Sequence, residues 1–210
     1  MKTFSICCSL AMALALVAFV SYNKGRNHNL SDELPSTPYT IPSGGTYEYQ
    51  VLVRDLLEGY KSQARYIPPD TRLTDSEGKE VLLSEVIQDD TKVIFRFSKM
   101  HCGLCVDAML PELKKISKEL GSDKIVLLAA HYDTRNLQIF KKMNELDNPI
   151  FNIDTLQLTA ESIFNPYVFV LDNDYHTKQL FIPRKESIGI FSVFLSDLRY
   201  YLRATRDNEP

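Results

Sequence analysis

Residues 92–105 read KVIFRFSKMHCGLC, an almost unbroken apolar strand pattern that leads into two cysteines separated by two residues. Residues 104–120 then show helical apolar spacing, and Gly121 supplies a C-terminal stop. Cys102 and Cys105 therefore stand where a buried strand gives way to a helix. Backbone N–H groups at a helix N-terminus stabilise an anion, so this position favours ionisation of the first thiol. The second thiol, one turn on, is placed to close a disulfide with the first and release a mixed-disulfide partner.

On both sides of this stretch, apolar strand patterns alternate with helical ones. A hairpin is predicted over residues 72–83, with its turn at Gly78. Further strands are predicted at residues 92–98, 124–131, 149–153, 167–171 and 178–182, and helices at residues 47–66, 104–120, 134–146 and 187–203. This order predicts the α/β class: a central mixed sheet with a parallel core, flanked by helices, plus an N-terminal hairpin and an accessory helix.

The first residues have the pattern of a targeting segment. A short positive leader precedes an uncharged apolar run, so residues 1–20 are predicted to be a signal or membrane anchor. No well-formed cleavage site follows, which favours an uncleaved anchor, and Cys7 and Cys8 fit as small apolar residues within it. Residues 21–46 are predicted to be a polar linker, residues 47–67 an accessory helical segment, and residues 68–205 the main domain. We expect this domain to face an oxidising space outside the cytoplasm, a bacterial periplasm, tethered to the inner membrane or secreted.

Composition excludes several classes of function. The chain has 24 basic and 27 acidic residues, and a net charge of −3 argues against nucleic-acid binding. Four cysteines are too few for a disulfide-stapled scaffold. A structural zinc site needs further spaced ligands, which the other histidines do not provide, so no metal site is expected. Covalent haem attachment needs a histidine after the second cysteine, where Val106 stands. A merely structural disulfide stays open as an alternative.

Three quoted stretches carry a resemblance to a known family. They are LTDSEGKEVLLSEV (residues 73–86), VIFRFSKMHCGLC (residues 93–105) and NPYVFVLD (residues 165–172). Over residues 68–204 the chain resembles the exported, membrane-tethered thioredoxin-like proteins of the cytochrome-maturation type, which are thiol–disulfide oxidoreductases. The resemblance implies a thioredoxin-like fold. It also implies a cis Pro166 that faces the cysteines and, with Asn165 and His101, shapes a substrate groove. An ordinary trans proline that starts a strand is the alternative.

Several residues depart from the pattern of that family. His101 stands where the family usually has tryptophan. It either acts on the Cys102 thiolate, by donating a hydrogen bond to it or by carrying a positive charge beside it, or it simply replaces the flat tryptophan ring at the surface. Arg96 stands where many thioredoxins keep a buried acid. On the active-site side it would favour the thiolate, but an arginine there is expected to face outward, towards solvent. His131 ends the neighbouring strand and is a second candidate for tuning, at the same rim of the sheet.

Together these features predict thiol–disulfide exchange on exported proteins, with Cys102 as nucleophile and Cys105 as resolving thiol. No cofactor is expected, because the cysteine pair itself carries two electrons. The expected partners are protein substrates that bear thiols or disulfides and a membrane or soluble redox donor. The alternative is a copper-binding module that uses both cysteines and a distal histidine, His131 or His176. A peroxidase of the same fold is expected to have Thr or Ser three residues before the reactive cysteine. Lys99 stands at that position, which argues against a peroxidase.

Overall fold

The computed structural model describes residues 47–207, except for the side chains of Glu48 and residues 203–207. The predicted anchor at residues 1–20 and linker at residues 21–46 lie outside the described residues and stay predictions. Within residues 47–207, no helix combines the length and the apolar character needed to cross a membrane.

One mixed sheet organises the described part of the chain. Its strands are β1 (Arg72–Asp75), β2 (Glu80–Leu82), β3 (Lys92–Ser98), β4 (Ile125–Ala130), β5 (Ile150–Asn152), β6 (Tyr167–Leu171) and β7 (Lys178–Phe181). The order across the sheet is β2-β1-β5-β4-β3-β6-β7. The central trio β5-β4-β3 is parallel, and every other pairing is antiparallel. The expected mixed sheet with a parallel core and an N-terminal hairpin is therefore confirmed.

The helices cover both faces of the sheet. They are α1 (Tyr47–Lys61), α2 (Leu83–Ile87), α3 (Gly103–Leu120), α4 (Thr134–Met143) and α5 (Ile188–Asp207), with short 3₁₀ helices at Ser122–Lys124, Thr159–Ile163 and Lys185–Ser187. Alternate residues of β3 enter two separate apolar cores. Phe95 and Phe97 pack with α3, α4 and α5 on one face, while Ile94 joins α2 and part of β6 on the other. Double-sided burial explains why β3 reads as a continuous apolar run.

Two predicted helices end earlier in the structure than in the sequence pattern. The accessory helix stops at Lys61 rather than at residue 66, because the chain leaves the helix to pair with the loop before β7. There the N–H of Ala64 donates to the carbonyl of Thr177 at 2.8 Å. Helix α4 stops at Met143 rather than at residue 146, and Glu145 follows with a positive φ of 47°. At the ends of both helices, a tertiary contact or a change of backbone direction takes the place of the last helical turn that the apolar periodicity alone suggests.

The register of the central strands sets the position of the cysteines. Strand β3 runs parallel to β4, with Ser98 opposite Ala130, and antiparallel to β6, with Arg96 opposite Tyr167. The end of β3, the end of β4 and the start of β6 therefore meet at one edge of the sheet. The segment after Ser98 enters α3 at this edge, so the loops that leave β4 and enter β6 flank the cysteine pair.

Candidate active site

The two cysteines occupy the first turn of α3. Cys102 is the N-cap residue and is partly exposed, while Cys105 is only 4% exposed in the core on the α3 side. The N–H of Cys105 donates to the carbonyl of Cys102 at 3.0 Å, and both side chains are free thiols. A tight turn delivers the pair from the strand: the N–H of His101 donates to the carbonyl of Ser98, also at 3.0 Å. The predicted strand-to-helix junction is thus present, with one thiol outward and the other inward.

The surroundings of Cys102 favour its thiolate. Its pKa is lowered, chiefly by a hydrogen bond from the thiol of Cys105, against an opposing effect of burial. The backbone N–H groups of Cys105 and Leu104 at the start of α3 lower it further, as does the positive charge of Lys185. The helix N-terminus therefore acts here as the sequence suggests, but the thiol of Cys105 and the Lys185 charge add to it.

Cys105 behaves in the opposite way. Burial, followed by the hydrogen bond to Cys102, raises its pKa to about 11. The backbone N–H of Lys185 acts against this increase. The pair thus consists of an accessible thiol that ionises readily and a buried thiol that keeps its proton. This division suits a nucleophile and a resolving thiol.

The segment of residues 183–187, called here the basic turn, is a part of the site that the sequence did not reveal. It connects β7 to α5 and contains the 3₁₀ helix Lys185–Ser187, which packs against α3. Arg184 and Lys185 bring two positive charges towards the thiols. The neighbouring basic residues were visible in the sequence, but nothing local indicated that they face a cysteine pair 80 positions earlier.

His101 is half-buried beside the pair. Its pKa falls from 6.5 to about 4, mainly because burial disfavours the imidazolium form and because Arg96 is positively charged; His131 acts in the same direction. His101 is therefore neutral near pH 7 and supplies no positive charge beside Cys102. Its Nδ1 atom is buried and has no hydrogen-bond partner among the described residues.

The depressed pKa of His101 makes stability depend on pH. Between about pH 6.5 and pH 4 the unfolded chain binds a proton at this position and the folded chain does not. We therefore expect the free energy of unfolding to fall as the pH drops through this window. Urea unfolding of the wild type and of His101→Phe at pH 7.0 and pH 4.5 measures the effect, and the variant should lose less stability between the two pH values. Equal losses would contradict a neutral, buried histidine.

Arg96 does not face outward, and the expectation of a solvent-seeking side chain is wrong. It is 2% exposed, and its guanidinium donates to Oε1 of Glu161 from Nη2 at 2.9 Å. It also donates to three backbone carbonyls at 2.7–3.0 Å, those of Ala129, Ile153 and Asp154. A buried guanidinium needs a charge partner and full hydrogen bonding. The loop between β5 and β6 supplies Glu161 and two of the carbonyls, and β4 supplies the third, that of Ala129. Burial of Arg96 requires a carboxylate close to it, but the sequence does not indicate which acidic residue this is.

Asn165 and Pro166 lie at the same sheet edge as the cysteines, immediately before β6, and both are buried. No peptide bond among residues 47–207 is cis, so the cis conformation implied for Pro166 is corrected to trans. The trans form is favoured for X–Pro bonds by about 0.5–1 kcal/mol unless the surrounding chain imposes the cis form. Asn165 and Pro166 thus share this sheet edge with the cysteines, while the peptide bond follows the alternative, a trans proline that starts a strand.

His131 also lies at this edge, directly after β4, with a left-handed φ of 60°. Its ring is exposed, with Nδ1 3.8 Å from Oδ1 of Asp154, and its charge acts on His101. The structure therefore places His131 on the expected rim, where it acts on His101. Among the described residues, no group of three or more His, Cys, Asp or Glu side chains is placed to hold a metal ion. The distal histidine that the copper alternative needs is therefore not placed beside the two cysteines within this part of the chain.

This topology and site define a class of protein. A β-α-β unit with two cysteines at the start of its helix, followed by an antiparallel β-β-α unit on the same sheet, is a thioredoxin-like fold that carries a dithiol. The family model "Redoxin" matches residues 63–181, more than half of the chain. The chain belongs to the Redoxin family. No curated protein matches it.

Solved structures of low sequence identity match the chain. A thioredoxin domain of a thiol–disulfide oxidoreductase from Bacteroides vulgatus has 11% identity and a TM-score of 0.49, covering 67% of this chain and 97% of that one. A secreted disulfide oxidoreductase of Mycobacterium tuberculosis, described as homologous to DsbE of Escherichia coli, has 16% identity and a TM-score of 0.45, covering 61% and 96%. A peroxidoxin of M. tuberculosis has 16% identity and a TM-score of 0.48, covering 65% and 97%. At the general level of the Redoxin family, the protein is an oxidoreductase.

Proposed function

We propose that this protein catalyses thiol–disulfide exchange on exported proteins through Cys102 and Cys105. The observation that carries the proposal is the contrast between the two thiols. Cys102 is accessible with a lowered pKa, whereas Cys105 is buried with a pKa of about 11. A structural disulfide requires no such difference in exposure and pKa between its thiols. An exchange enzyme needs one thiol that attacks the substrate and a second that stays protonated until it resolves the mixed disulfide.

The reaction follows from this division. The Cys102 thiolate attacks one sulfur of a substrate disulfide, forms a mixed disulfide and releases the other sulfur as a thiolate. Cys105 then attacks the sulfur of Cys102, which closes the Cys102–Cys105 disulfide and releases the substrate as a dithiol. The second substrate thiolate takes up the proton that Cys105 loses. The first takes a proton from solvent, which balances the proton that Cys102 lost when it ionised. Two electrons pass from the protein to the substrate, and the reverse sequence oxidises a substrate dithiol. A membrane or soluble thiol donor restores the reduced pair.

The surface around Cys102 suits a polypeptide substrate. Met100, Leu104 and Phe164 are large apolar side chains with exposed fractions of 67%, 64% and 62%. Met100 and Leu104 flank the cysteine in sequence, and Phe164 precedes the segment Asn165-Pro166 at the same sheet edge. We assign the substrate groove to this edge, with His101 as its neutral polar member. An apolar rim next to the thiol favours extended or partly unfolded protein segments over small polar thiols.

A trapping experiment tests the function. In cells that make the full chain, Cys105→Ser should accumulate mixed disulfides through Cys102, because the resolving thiol is gone. They should appear as bands on non-reducing gels that dithiothreitol removes. The double variant Cys102→Ser/Cys105→Ser is the matched control and should trap nothing. No trapped species, together with a wild type that fails to accelerate the reduction of a disulfide-bearing test protein by dithiothreitol, would overturn the proposal.

We further propose that the domain acts outside the cytoplasm, tethered by residues 1–20. The apolar run at the start of the sequence supports this location. If it is correct, protease added to spheroplasts should digest the domain while a cytoplasmic marker protein stays intact. Protection of the domain until the membrane is lysed would place it inside the cell.

A further inference from the structure

Helix α1 carries a buried carboxylate that is paired with the basic turn. The side chain of Asp55 is 5% exposed and accepts two hydrogen bonds from Arg184: Nη2 lies 2.9 Å from Oδ1, and Nε donates to Oδ2. Arg54 makes a longer contact with the same carboxylate, at 3.4 Å. The two-pronged geometry fixes the guanidinium in position and orientation, which a single contact would not do. Asp55 thus joins α1 to a segment 129 positions away.

The residue held in this way adjoins the cysteine pair. Arg184 directly precedes Lys185, whose backbone N–H acts on Cys105 and whose charge acts on Cys102. The charged groups that face the two thiols from this side are Arg184, Lys185 and Glu186. All three belong to the basic turn, so the position of that turn determines the net charge close to the two thiols.

The residue that directly follows α1, Ser62, contacts the other side of the site. Oγ of Ser62 lies 2.8 Å from Oγ1 of Thr159 and accepts the N–H of Ala160 at 3.0 Å. These contacts hold the 3₁₀ helix Thr159–Ile163, which supplies the Glu161 partner of Arg96. The accessory helix therefore touches both segments that flank the cysteine edge. Among its described side chains, those of residues 47 and 49–61, the one buried carboxylate is Asp55, which binds Arg184.

We infer that Asp55 is a positioning residue for the reactive cysteines. Through Arg184 it holds the basic turn against the start of α3, so that the positive charge of Lys185 and its backbone N–H stay directed at the thiols. The helix at residues 47–61 is then part of the redox site rather than a simple cover. This role rests on the proposed function, because it concerns the reactivity of the same pair.

The test measures thiol reactivity instead of turnover. Asp55→Asn removes the charge of the carboxylate at nearly constant volume and should loosen the basic turn. The Cys102 pKa should then rise, and its alkylation by iodoacetamide at pH 7 should slow by about two- to fivefold, the effect of weakening one nearby charge in a largely solvated setting. The rate is followed from pH 5 to pH 10 by mass spectrometry, together with the reduction potential of the pair against glutathione. Glu58→Gln, which removes the partner of Lys61 on the same helix, is the matched control and should leave both unchanged.

Further variants separate positioning from simple stability. Arg184→Gln should slow alkylation as Asp55→Asn does, and the double variant should slow it no more than the slower single variant, because both changes release the same turn. Arg184 is partly exposed, so this variant remains informative if Asp55→Asn does not fold. An unchanged alkylation profile in a folded Asp55→Asn or Arg184→Gln protein would overturn the positioning role. Failure of wild-type exchange would instead overturn the proposed function, and the alkylation profiles would still report on the turn.

Discussion

At pH 7, iodoacetamide should alkylate Cys102 at least about ten times faster than Cys105 in the folded, reduced protein. The pKa of Cys105 is about 11 and that of Cys102 lies below the ordinary value of 9.0. The thiolate fraction at Cys102 is therefore roughly a hundredfold larger or more. The Cys105 thiolate is more basic and therefore intrinsically the better nucleophile, which reduces the rate advantage of Cys102 by about a factor of ten. Burial then slows Cys105 further, because the reagent must reach a side chain that is 4% exposed.

Peptide mapping after timed quenching measures both rates in the same sample. In 8 M urea the difference should disappear, because the burial, the helix N-terminus and the contact with Lys185 are lost. The urea sample thus serves as the control for differences intrinsic to the two peptides. Equal alkylation of both cysteines in the folded protein would contradict the assignment of one nucleophile and one resolving thiol.

Replacing Arg96 with methionine should destabilise the fold by about 3–5 kcal/mol, because it leaves a largely buried Glu161 without its cation. The carbonyls of Ala129, Ile153 and Asp154 also lose the donors that reach them at 2.7–3.0 Å. Glu161 keeps two weaker partners, the hydroxyl of Thr155 and the N–H of Leu156, so part of the loop should persist. Urea unfolding followed by circular dichroism measures the change at pH 7.

A matched control comes from an exposed arginine. Arg72 lies 3.7 Å from Glu80, and both side chains are mostly in solvent, so Arg72→Met should change stability by less than about 0.5 kcal/mol. The double variant Arg96→Met/Glu161→Leu should recover part of the loss if the unpaired carboxylate causes it. A cost for Arg96→Met as small as that for Arg72→Met would show that the buried ion pair does not hold the loop before β6.

The secondary structure followed from the sequence because the signals are local. Strand β3 is buried on both faces and mostly apolar, α3 repeats its apolar residues at helical spacing, and Gly121 ends α3 with a φ of 109° that favours glycine. Helix ends were less accurate. The accessory helix stops at Lys61 because residues beyond it pair with the loop before β7, a contact that no local pattern encodes.

The site was predictable only in part, for the same reason. The placement of Cys102 and Cys105 at the start of α3 could be predicted, because the two residues directly follow a strand pattern and begin a helical one along the sequence. The inward orientation of Arg96 has no local signal in the sequence, because its partner, Glu161, lies 65 positions away. The cis conformation implied for Pro166 rests on a family resemblance, whereas the bond is trans in the structure.

By itself, the sequence determined a mixed α/β fold and a cysteine pair at a strand-to-helix junction, since spacing along a helix or strand decides which neighbours share a face. Only the tertiary structure decided which charges act on that pair. Arg184 and Lys185 act on the cysteines, and Asp55 binds Arg184, because α1 and the basic turn pack around one sheet edge. Electrostatic effects depend on distance through space, and distance between remote segments is a property of the packed chain.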